Sequence, residues 1–193
     1  MHDARGVANF FLDRAARRGG PITVMTLLKV LYFAHAWHLA RHGKPLVAQP
    51  FEAWRHGPVN RVVYEQLKRY GKGPVQTRLK SFDAAACAFA ETPFAFDIET
   101  AEFLGHIFDY YSQFHAFVLS DLTHERGSPW DVVWKTAEKS AVPGMTISNQ
   151  LIMEWFRTSG GAMGKEQLDE GIPYDGPAYS RRARLGPDTG LDS

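Results

Sequence analysis

Residues 24–39, VMTLLKVLYFAHAWHL, decide the fold. Wound as a helix from Thr23 or Val24 to Arg41, the segment puts Leu28, Leu31, Tyr32 and Leu39 on one side. Leu27, Val30, Phe33 and Trp37 fall on the other. A helix that is apolar all round needs neighbours on every face, so this one is the centre of a helical body. The run is too short to cross a bilayer and is interrupted by Lys29, His35 and His38. Gly43 supplies its stop.

On the N-terminal side a helix is expected over residues 3–18. Asp3 is its cap, Val7, Phe10, Phe11 and Ala15 its inner face, and Gly19 with Gly20 its end. On the C-terminal side, Pro45, Pro50 and Pro58 break the helical rhythm. They confine residues 45–56 to a small hairpin or edge strands. Asn60 then caps a helix over 61–70, with Val63, Leu67 and Tyr70 inward. Residues 72–97 carry little pattern, although Phe94 and Phe96 alternate as in a short strand. A long helical region over 99–122 has weak points at Gly105 and Ser112. Ser128, Pro129, Trp130 and Asp131 form the clearest start signal in the chain: a capping hydroxyl, a proline at the first helical position and a carboxylate in the first turn. That helix reaches about Lys139, and a last one covers 148–158 with Leu151, Ile152, Trp155 and Phe156 inward.

The expected architecture is mainly α with minor β. One compact domain over 1–158 surrounds the central helix, and a flexible tail over 159–193 follows. The tail holds seven of the 17 glycines and no apolar period. The chain has 193 residues, 45% of them hydrophobic, with 13 Phe, 7 Tyr and 5 Trp, enough for a single core. Its net charge of +1 excludes a globally basic nucleic-acid binder. A single cysteine, Cys87, excludes a disulfide framework. No secretory signal opens the sequence, so the expected location is the cytoplasm.

Few residues suggest chemistry. His35, His38 and His42 lie at spacings suited to chelating a transition metal, which supports a metal-dependent hydrolase as an alternative. No acid follows a ligand as in HExxH helices, so a general base is missing from the pattern. His124 stands beside Glu125, but adjacent helical residues diverge by about 100°, which favours a role in fixing the turn before Ser128. Ser120, Ser128 and Cys87 lack a spaced base, and Cys87 in AAACAFA reads as a small apolar filler. Arg14, Arg17 and Arg18 with Lys68, Arg69 and Lys72 offer a basic face, the basis for a nucleic-acid-binding regulator as a further alternative. Lys29 either snorkels to the surface or meets a buried carboxylate such as Glu52. Trp54, Trp130 and Trp155 read as core.

Three segments, LLKVLYFAHAWHLARHGKPL at 27–46, EAWRHGPVNRVVYEQLKRYG at 52–71 and LSDLTHERGSPW at 119–130, resemble the Panacea (SocA-like, phage-associated GepA-like) domain family in order and spacing. The resemblance covers residues 4–156. It implies an antitoxin, not an enzyme and without a cofactor, that neutralises a toxin encoded by an adjacent gene through direct binding. It further implies an adaptor role toward a ClpXP-type protease. The family-like positions are Leu28, Lys29, Tyr32, Trp54, Gly57, Pro58, Tyr64, Thr123, His124, Pro129 and Trp130.

Overall fold

The structure, a computed structural model, describes residues 1–140 and 145–158. The expected tail lies outside the described residues. Among these, seven helices enclose one core, with two small antiparallel sheets at its edges.

Helix α1 (Ala4–Arg17) starts where the Asp3 carboxylate accepts the Arg5 amide at 2.8 Å. Helix α2 (Val24–His42) starts at Thr23, whose hydroxyl accepts the Thr26 amide, and ends at left-handed Gly43. As the apolar circumference of α2 requires, five of the other helices and one strand pack around it. Trp37, Phe33, Leu27 and Leu31 are all buried.

The proline-broken segment folds as strands β1 (Phe51–Trp54) and β2 (Gly57–Asn60), a little downstream of the expected residues. Pro58 lies in β2, which is an edge strand, where a missing N–H breaks no ladder. β1 is central because β5 (Met145–Ile147) pairs with its other side, Phe51 opposite both Asn60 and Ile147. Asn60 caps α3 (Arg61–Leu67) as expected, and a 3₁₀ turn (Lys68–Tyr70) completes that segment.

The short strand expected at Phe94 and Phe96 does not form. These rings instead lie against Phe10. A hairpin stands just before them, β3 (Lys80–Asp83) and β4 (Ala88–Glu91), with Cys87 exposed in its turn at φ 48°. Cys87 is therefore a turn residue and not a core filler. One buried side chain moors the hairpin. Asn9, on the inner face of α1, donates to the carbonyls of Leu79 and Thr92 at 2.9 Å and accepts the Leu79 amide at 2.8 Å. Asn9→Ala strips buried main-chain groups of their partners and is expected to cost about 2–4 kcal/mol, read as a lower urea midpoint. Asn9→Asp is expected to cost at least as much, because it sets a buried carboxylate oxygen against the Leu79 and Thr92 carbonyls that the amide serves as donor.

Helices α4 (Ile98–Tyr111) and α5 (Ala116–Thr123) part at the Ser112 weak point. Gly105 makes no break. A Cβ there would stand 3.1–3.3 Å from the Arg14 guanidinium, so the glycine makes room for Arg14 to grip Asp109 with two bonds of 2.7 and 2.6 Å. Helix α6 (Pro129–Ser140) begins at the predicted signal, the Ser128 Oγ accepting the Asp131 amide at 3.1 Å. Helix α7 (Asn149–Thr158) lies along α2 with Ile152 and Phe156 buried, and Leu151 and Trp155 half-buried.

Candidate functional site

Lys29 departs from both sequence expectations. It neither snorkels nor meets Glu52. Its side chain is 1% exposed and its Nζ donates to the Pro58 carbonyl at 3.1 Å. Glu52 accepts instead from the Trp54 indole at 2.8 Å. The reason is α2 itself: neighbours enclose the helix, so a lysine on its β2 side has no route to water. Burial, with no carboxylate to offset it among the described residues, drives its amine down to about 7.

Two other elements close over this amine. Gly57, at φ 98°, turns the chain from β1 into β2, and a Cβ there would stand 2.5 Å from Lys29 Nζ and 2.6 Å from Thr123 Oγ1. The missing side chain of Gly57 is thus the space those two polar groups occupy. At the end of α5, the Thr123 hydroxyl donates to the Ser120 carbonyl at 2.7 Å, and Ser120 Oγ donates to the His56 carbonyl in the β1–β2 turn at 3.2 Å. Ser128 Oγ donates to the Thr123 carbonyl at 2.9 Å, tying α5 to the start of α6.

Trp130 completes the corner. Its indole donates to the Trp54 carbonyl at 2.7 Å, and its ring lies 3.8 Å from that of His124 and stacks on Trp134. His124 is the C-cap of α5, in keeping with the turn-fixing role. Its Nε2 is buried with no hydrogen-bond partner among the described residues. Burial first, and the nearby Lys29 charge second, hold the imidazole below its ordinary value.

The family-like positions therefore sort physically. Leu28, Lys29, Tyr32, Gly57, Pro58, Thr123, Pro129 and Trp130 are buried, while Trp54, Tyr64 and His124 are half-buried. Tyr32 stands apart from the corner, its ring packed edge-on against Phe33, Phe51 and Phe156. Tyr64 and Trp54 pack ring to ring at 4.8 Å, and the turn between the strands presents Arg55 and His56 to solvent. Ser120 had no sequence signal, because its role depends on a carbonyl 64 positions away.

The histidine cluster does not assemble. His35 is buried against Asn149 at 2.9 Å and receives the Val47 amide at 3.4 Å, and burial drives it down to about 4. His38 and His42 face each other 4.6 Å apart, with His38 Nδ1 engaged by the Lys44 carbonyl. No group of three or more ligating side chains stands together among the described residues. The basic face is also partly neutralised: Asp109 pairs with Arg14 and Arg18, and Glu65 with Lys68. No helix among the described residues is long and apolar enough to cross a membrane.

The sequence has known relatives. The family described as Antitoxin SocA-like, Panacea domain matches residues 27–131, from α2 to the first turn of α6, the span that contributes every group in the corner. Antitoxin SocA of Caulobacter vibrioides (strain NA1000 / CB15N) is 34% identical over 155 residues, 80% of this chain and 82% of that protein. No solved structure matches significantly. The match in family span and the match along most of both chains agree, and the chain belongs to the SocA-like Panacea domain family.

Proposed function

We propose that the protein is an antitoxin that silences a protein toxin by direct binding, the toxin being the product of an adjacent gene. The observation that carries this reading is the 34% identity with Antitoxin SocA along four fifths of both chains. The corner is consistent with contact work and not with turnover. The hydroxyls of Ser120, Thr123 and Ser128 all donate to main-chain carbonyls, so none is poised as a nucleophile. Within the family-like set, Trp54, Tyr64 and His124 are the positions with exposed area, and Arg55 and His56 stand beside them. These five residues are the proposed rim of the toxin contact. The buried ones hold the rim in shape.

Expression with the neighbouring gene product is expected to restore growth that the product alone arrests, and to yield a complex that co-purifies. Arg55→Glu with His56→Glu is expected to weaken that complex at least tenfold while leaving the thermal midpoint unchanged. Neighbouring products that are harmless and never co-purify remove the toxin reading. The proposal extends to an adaptor role: with a ClpXP-type protease and ATP, the toxin is expected to shorten in half-life only when this protein is present. An unchanged half-life removes the adaptor step and leaves neutralisation standing.

A further inference from the structure

We propose that Lys29, Gly57 and the Thr123–His124 end of α5 form a proton-operated latch, closed when Lys29 is a neutral amine and loosened when it is an ammonium. The geometry supplies the device. An amine on the second turn of an enclosed helix makes one bond, to Pro58, and sits in the space left by Gly57. An ammonium in that place keeps two N–H groups to satisfy and a charge to offset, both costly away from water.

Among the described residues, no counter-charge acts on Lys29 from the groups around it. From the β1–β2 turn comes His56, itself a base and exposed. From α5 come Thr123, whose hydroxyl gives its proton to Ser120 and makes no bond to Lys29, and His124, whose own charge Lys29 opposes. The acids that act on His124 are Asp121, exposed on α5, and Asp131, held by Lys135 and the Gly127 amide. On α2 itself Tyr32 is the titratable neighbour one turn on, and burial pushes its phenol up, so it stays neutral. Two basic groups thus share the corner, and among the described residues no carboxylate pairs with Lys29.

The direction follows from linkage. The folded amine titrates near 7 and the unfolded one near 10.5, so between those values the unfolded chain binds more protons. Stability of the corner rises with pH through that window, by up to about tenfold in the opening constant per pH unit. Below the window the penalty is fully present and flat. His35 and His124, both lowered, act below pH 6.5, so their effect is separable from that of Lys29 by range alone.

Hydrogen exchange on the full chain tests the latch. Exchange of the amides at 54–60 and 119–130, corrected for intrinsic rate, is expected to slow between pH 7 and 9 by severalfold per unit. In Lys29→Met, which fills the same space without a charge, it is expected to stay flat. Should that variant fail to fold, the wild type alone decides: the Lys29 Cε resonance is expected to titrate near neutrality, and the Gly57 and Thr123 amides to move with the same midpoint. A Lys29 resonance that titrates with the ordinary lysines overturns the latch. So do amides that ignore it, or an exchange slope that survives in a folded Lys29→Met.

Discussion

Gly57→Ala is expected to be the most destabilising single-methyl change among the described residues, at about 3–5 kcal/mol. Two costs combine. At φ 98° an L side chain is strained, on the order of 1–3 kcal/mol. The new Cβ also meets Lys29 Nζ at 2.5 Å, Thr123 Oγ1 at 2.6 Å and Lys29 Cε at 3.1 Å, and overpacking of this kind costs about 1–3 kcal/mol more. A lysine tip normally steps aside at little expense, but this one is walled by α2, β2 and α5 and loses its Pro58 bond on moving. Against a typical stability of about 5–15 kcal/mol, such a loss leaves a marginal protein. The measurement is a urea midpoint beside that of Gly20→Ala. Gly20 is exposed, and a Cβ there would meet nothing within 4 Å, so its substitution is expected to be near neutral. Equal midpoints for the two variants would remove Gly57 from its place as the spacer of the corner.

Features with local causes are legible in this sequence, and features with distant causes are not. The caps at Asp3, Asn60 and Ser128 act on amides two or three positions away, and all three form. The all-round apolarity of α2 is likewise written in one segment, and it gives the helix its central place. Gly57, by contrast, stands out through resemblance alone, since the reason it must be glycine lies in Lys29 and Thr123, 28 positions before it and 66 after. Strand β5 is three residues long, too short for an alternation to register, yet it turns β1 from an edge into a centre. The hairpin of β3 and β4 is almost wholly exposed, so its strands lack the apolar alternation of a half-buried sheet; what fixes it is Asn9. Lys29 misleads because a lone charge on an apolar helix usually finds water. The enclosure of α2, itself legible, argues the other way.

Trp130→Ala is expected to cost about 3–5 kcal/mol, the ordinary penalty for emptying a buried indole site. The ring is 8% exposed, lies over His124 at 3.8 Å and stacks on Trp134, so its loss opens a gap on both sides of the α5–α6 corner. It also takes away the donor to the Trp54 carbonyl at the end of β1. Trp130→Phe separates the two effects. It keeps most of the stacking and removes only the N–H, so about 1–2 kcal/mol is expected. The pair of variants distinguishes a core anchor from a contact residue. If Trp130 anchors the corner, both lose stability in that order, and any weakening of toxin binding follows the population of folded protein. If Trp130 instead meets the toxin directly, Trp130→Ala keeps a near-wild-type midpoint while the complex fails. That second outcome would move the contact inward from the proposed rim of Trp54, Arg55, His56, Tyr64 and His124, and would require the corner to open on binding.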